Sequence, residues 1–95
     1  MAETVTLINL FEVPVGEEAA FISGWEKTAE FMRKQRGYVS TALHQSLAPN
    51  ATYRFINIAR WESPEAFQKA VSSPDFPGSA IRQKAHPALF RVVRE

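Results

Sequence analysis

The stretch Thr4–Val13 (TVTLINLFEV) constrains the fold most. It carries a single charge and is dense in β-branched and aromatic residues, so it reads as a strand. Alternation puts Val5, Leu7, Asn9, Phe11 and Val13 on one side and Thr6, Ile8, Leu10 and Glu12 on the other. Both sides are largely apolar, whereas a strand with one wet side alternates cleanly. This strand therefore needs cover on both faces. A chain of 95 residues makes one domain, 1–95. Folding alone, it buries only about 60–65% of its unfolded surface.

The rest of the chain supplies one kind of cover. Glu17–Arg36 reads as a helix with glutamates at its start, Arg33, Lys34 and Arg36 at its end, and Gly37 as a left-handed cap. Phe21, Ile22, Trp25, Ala29 and Met32 recur at spacings of three and four and form its apolar stripe. Tyr38–Leu47 reads as a second strand, the Ala48-Pro49-Asn50-Ala51 segment as a turn, and Thr52–Trp61 as a third strand. Ser63-Pro64-Glu65 is an N-cap, a proline at the first helical position and an acid in the first turn. The helix it opens carries Phe67, Ala70 and Val71 inward and stops near Ser72-Ser73-Pro74. Asp75–Lys84 reads as a loop or broken helix, and Ala88–Arg94 as the last strand, after His86-Pro87.

The order is β-α-β-β-α-β. Right-handed crossovers place both helices on one face of a four-stranded antiparallel sheet, a ferredoxin-like α+β arrangement. The other face then presents an apolar patch, and such patches mark interfaces. The expectation is a homodimer with its two sheets packed face to face as an α+β barrel. The alternative is a monomer whose apolar sheet is kept soluble by Arg54 and Arg60.

Composition removes several function classes. There is no cysteine, so thiolate metal sites and disulfides are out. His44 and His86 have no metal-ligand spacing between them, and no metal site is expected. No Gly-rich phosphate motif is present. A net charge of +1 gives no field for nucleic acid, although Tyr53-Arg54-Phe55 superficially resembles an RNA-stacking strand. No apolar run spans a membrane and no basic leader precedes the first strand, so a cytoplasmic protein is expected.

The residues that remain resemble a known family. The opening strand, Trp25, Gly37-Tyr38 and above all Tyr53–Phe67 (YRFINIARWESPEAF), with its W-x-S-x-x-A-F segment, resemble the antibiotic biosynthesis monooxygenase (ABM) domain over nearly the whole chain. The resemblance implies a dimeric α+β barrel. For the family's small cofactor-free monooxygenases it implies a site of an asparagine, a tryptophan four residues on, a tyrosine six further, and an arginine beyond. Asn57 and Trp61 match; the tyrosine position falls on Phe67, which has no hydroxyl, and the arginine position on Ile81 or its neighbour Arg82. A haem-degrading branch uses an asparagine in the first strand, which Asn9 matches, but its tryptophan and histidine positions fall on Ala70 and near Ala80. The axial ligand is thus missing, His86 being the nearby imidazole.

Cofactor-free oxygenation uses a substrate that is its own reductant, so the protein needs a dry cavity, donors for an enolate oxygen, and orientation. Asn57 can donate from its amide, and Trp61 on the same face offers a stacking ring and an indole N–H. Asn9, Trp25, Tyr53, Phe55 and Phe67 are the expected substrate-binding walls. Arg82 or His86 would neutralise developing charge, and His86 could move a proton. Each residue also has a plain structural role: a backbone-satisfied asparagine, core aromatics, a surface His44, a structural His86. The sequence thus offers an oxygenase of polycyclic aromatic or quinol-like molecules acting with dioxygen and no cofactor. Its alternative is a non-catalytic ligand-binding or stress-related dimer of the same fold, with haem degradation disfavoured.

Overall fold

The computed structural model describes residues 4–95. Its elements are β1 (Val5–Glu12), α1 (Glu18–Arg33), β2 (Tyr38–Gln45), β3 (Phe55–Trp61), α2 (Pro64–Val71), a 3₁₀ turn (Gly78–Ala80) and β4 (Lys84–Phe90). The sheet order is β2-β3-β1-β4 with every neighbouring pair antiparallel, so the ferredoxin-like α+β arrangement stands.

Alternation sorts the sheet into two faces. On β1, Val5, Leu7 and Phe11 are buried beneath the helices; on β3, Phe55, Asn57, Ala59 and Trp61 are. The opposite face carries Ile8, Leu10 and Ile56, half-buried by their neighbours, with Ile58 and Phe90 exposed at 38% and 50%. That face is as apolar as the sequence requires, and within one chain it has no cover.

Local signals explain the helix ends. The Ser63 hydroxyl accepts from the Ala66 N–H at 3.1 Å, and Pro64 follows at the first helical position. At α1 the Gly16 N–H, on a backbone with φ +97°, donates to Glu18 Oε1 at 2.8 Å. Helix α1 ends three residues earlier than its basic run suggested, with Lys34 as its C-cap. Gly37 still has φ +90°, but as the entry to β2. A Cβ there would lie 2.4 Å from that of Ala66 on α2, so only glycine lets the strand start this close to the helix.

Three strands differ from expectation. β2 ends at Gln45, two residues before Leu47. β3 begins at Phe55, because residues 52–54 belong to the turn. β4 runs over Lys84–Phe90 and not Ala88–Arg94, and Val92 and Val93 beyond it are exposed. Pro87, which the sequence places before the strand, lies inside it. β4 is an edge strand, where a missing N–H is tolerated.

Candidate active site

Between helices and sheet lies a cavity of about 640 Å³. Its floor is Leu7, Asn9 and Phe11 of β1, Asn57, Ala59 and Trp61 of β3, and Tyr38 and Thr41 of β2. Trp25, Thr28, Ala29 and Met32 of α1 and Phe67, Gln68 and Val71 of α2 form the roof. Phe76, Gly78, Ile81 and Gln83 follow from the 3₁₀ region, and Ala85, Pro87, Ala88 and Leu89 from β4. Gly24 makes this roof possible: its missing side chain lets Ala80 cross α1, since a Cβ there would lie 2.1 Å from the Ala80 carbonyl oxygen.

Asn9 and Asn57 are cross-strand partners in the β1–β3 register, so their side chains stand side by side on the floor. Each is held through its oxygen. The Thr41 hydroxyl donates to Asn57 Oδ1 at 2.7 Å, and the His86 backbone N–H donates to Asn9 Oδ1 at 3.1 Å. Both amides therefore have their NH2 ends left for an occupant. Trp61 is 1% exposed and meets two rings nearly edge-on, Tyr38 at 5.8 Å and 89° and Phe67 at 5.7 Å and 72°. These crossings leave open space beside the indole that stacked rings would fill.

The structure brings together Asn9, Trp25, Asn57, Trp61 and Phe67 of the expected residues. The other four lie elsewhere. Phe55 is 1% exposed in a separate cluster with Phe11, Val13 and Phe21. Arg82 is exposed beside the cavity, between the lining residues Ile81 and Gln83. His86 pairs with Leu10 and so belongs to the opposite face of the sheet, where its Nε2 meets Glu12 Oε2 at 2.7 Å. Tyr53 packs edge-on against the His86 ring at 5.6 Å. The expectation that these two flank the same hollow as Asn57 is corrected on this point. Sequence reasoning did not single out Tyr38 and Thr41 as site residues. A register shift between Tyr38 and Ser40 breaks the alternation that would have aligned them with Ala59 and Trp61.

Among the described residues, no helix is long and apolar enough to cross a membrane, and no cluster of three or more His, Cys, Asp or Glu side chains is disposed to hold a metal. The electrostatics of the cavity come from dipoles, with amides, hydroxyls and two indoles lining it and no charged side chain.

Comparison with known proteins agrees with this architecture. Residues 4–78 match the model of the antibiotic biosynthesis monooxygenase family. Over 75 residues, 79% of the chain, it is 36% identical to deoxynogalonate monooxygenase of Streptomyces nogalater, a match spanning 61% of that protein's length. The fold superposes on SnoaB, a cofactor-independent oxygenase from Streptomyces nogalater, with a TM-score of 0.86 and 31% identity, covering 99% of this chain and 97% of that one. A candidate monooxygenase from Shewanella loihica gives 0.89 and 42% over 100% and 99% of the two chains. A haem-degrading protein of Mycobacterium tuberculosis gives 0.77 and 26% over 100% and 97%. With its family match covering most of its length and a sheet, cavity and helical roof to accompany it, the chain belongs to the antibiotic biosynthesis monooxygenase family.

Proposed function

We propose that the protein is a cofactor-independent monooxygenase that oxidises a polycyclic aromatic or quinol-like small molecule with dioxygen. The observation that carries this reading is the facing pair Asn9 and Asn57, each with its oxygen occupied and its NH2 end left to the cavity. Side chains opposed in this way stand about 5 Å apart at Cβ. One oxygen between them can accept from both at ordinary length, about 2.9 Å. Two neutral donors in a low-dielectric hollow stabilise an enolate oxygen without a bound cation. Trp25, Trp61 and Phe67 supply the flat walls an aromatic substrate needs.

The substrate is its own reductant. Its enolate passes an electron to dioxygen, the two radicals combine, and collapse of the peroxide converts a CH2 group to C=O. One oxygen atom of dioxygen enters the product, and the other leaves as water with the two hydrogens. The cavity's part is to hold the enolate oxygen, orient the ring and exclude water.

Haem does not suit this hollow. Neither histidine lines it: His86 is on the other sheet face, and His44, opposite Ile56, is too.

The same reading includes a homodimer formed through the open face, where Ile8, Leu10, Ile56, Ile58 and Phe90 offer the apolar surface. Light scattering at micromolar concentration should return twice the chain mass. A monomer overturns the dimer and leaves the cavity chemistry to be judged separately.

The activity is tested by oxygen uptake with an anthrone or a dihydroxynaphthalene, comparing wild type with Asn9→Ala, Asn57→Ala and Trp61→Phe. Wild-type turnover that collapses in the asparagine variants supports the reading. Equal rates in all four remove these residues from the mechanism, and tight ligand binding without oxygen uptake turns the reading to the ligand-binding alternative.

A further inference from the structure

Tyr38 is the one side chain lining the cavity, among the described residues, that can give up a proton. Every other polar group there is an amide, a hydroxyl of threonine or an indole, and none of these exchanges protons at working pH. The backbone that carries its ring is tied on both sides. The Tyr38 N–H donates to the Gln35 carbonyl at 3.3 Å, and the Gly37 carbonyl before it accepts from Glu62 N–H at 2.8 Å. The glycine is pressed against Ala66, and the ring itself stands edge-on to Trp61, its cross-strand partner.

Resting on the oxygenase reading above, we propose that Tyr38 is the general acid and base for the peroxide stage of that reaction. The spacing fits the task. Trp61, and Tyr38 opposite it, lie four strand residues from Asn57, about 13 Å along the sheet, and both ends of that span line the cavity. A substrate whose oxygen rests on the asparagines then presents its conjugate ring carbon toward Tyr38.

The step balances as follows. Loss of the first C–H proton to solvent gives the enolate, which transfers one electron to dioxygen, and recombination forms the C–O bond of a peroxide anion. The Tyr38 phenol protonates that anion to the hydroperoxide and becomes phenolate. The phenolate then removes the second C–H proton, the electron pair forms C=O, and the O–O bond breaks. The departing hydroxide takes a proton from solvent, replacing the one released first, and leaves as water. Tyr38 ends as it began.

Tyr38→Phe keeps the ring against Trp61 and removes only the hydroxyl, so near-wild-type thermal melting and anaerobic substrate affinity are expected. Quinone formation should fall about 10²-fold. A species with the mass of substrate plus one dioxygen should build up in rapid-quench samples. A fluorotyrosine placed at position 38 alone, a more acidic phenol, should move the pH dependence of quinone formation to lower pH. Wild-type rates in Tyr38→Phe overturn the proposal, as does a slow variant in which no hydroperoxide builds up, because that marks a packing role. Absence of oxygen uptake by wild type instead overturns the oxygenase reading, and this inference with it.

Discussion

The layer between helices and sheet has two ends built on opposite principles. At one end Phe11, Phe21 and Phe55 meet at centroid distances of 4.7 and 4.9 Å and with Val13 are packed nearly solid, Phe11 forming the wall where this cluster borders the cavity. At the other end the rings around Trp61 cross nearly at right angles, 5.7 and 5.8 Å apart, and a hollow remains. The difference does not lie in how apolar the ends are. It arises because several residues lining the hollow are small or short: Asn9, Asn57 and Ala59 on the floor, Ala29 on α1 and Gly78 in the 3₁₀ turn. Small residues at the centre set a gap that the bulky ones at the periphery cannot close.

From that contrast, damage to the filled end should cost stability and damage to the hollow end should cost activity. Phe21→Ala, at 0% exposure, should lower unfolding free energy by about 3–5 kcal/mol in denaturant titration. Whatever protein stays folded should keep its turnover. Asn57→Ala should do the reverse. It should lower kcat/KM by about 10²–10³-fold, equivalent to about 2.7–4 kcal/mol of transition-state stabilisation. Stability should change by only about 1 kcal/mol, from the lost Thr41 hydrogen bond. A variant as unstable as Phe21→Ala would show that the hollow end is ordinary core. Gly24→Ala sits between the two regimes. Its methyl would meet the Ala80 carbonyl, so a loss of about 1–3 kcal/mol is expected, together with weaker substrate binding because the turn over the cavity must shift. Calorimetry and anaerobic titration of one sample read both effects.

The smallest expected effect lies beyond the filled end. Glu18 has its carboxyl held below the ordinary range, first by its own backbone N–H, then by Gly16 N–H, with a further contribution from Arg54 at 3.9 Å. A depressed folded value means the stabilisation is complete above the unfolded carboxylate range, about 4.3. It is lost as the pH falls through the folded value. Glu18→Gln should therefore flatten the acid limb of a stability–pH curve and leave the limb above neutrality unchanged.

Much of this was legible from residue order, for stated reasons. Thr4–Val13 announced a sheet with two apolar faces, and Ser63-Pro64 marked the start of α2 to the residue. Parity placed Asn57 and Trp61 on one face of their strand, and the family resemblance singled out Asn9 in the first strand. Neither could show that Asn9 and Asn57 are partners, because that depends on the register between strands far apart in the chain. Pro87 hid the true position of β4. With that strand read four residues late, the face occupied by His86 was undetermined, and its contact with Glu12 was out of reach. The shift between Tyr38 and Ser40 concealed Tyr38 and Thr41 in the same way, since a bulge erases the period that a reader follows.

Pro87 has a bearing on solubility as well. Successive amides along a strand point to alternate sides, and the His86 N–H is turned inward to Asn9, so the proline nitrogen faces outward. A second chain seeking to zip onto that margin finds a gap in the row of donors. Fibril-like growth is thereby discouraged along β4 and left to the β2 margin, where Ser40, His44 and Gln45 stand exposed together with the apolar Val39 and Ala42.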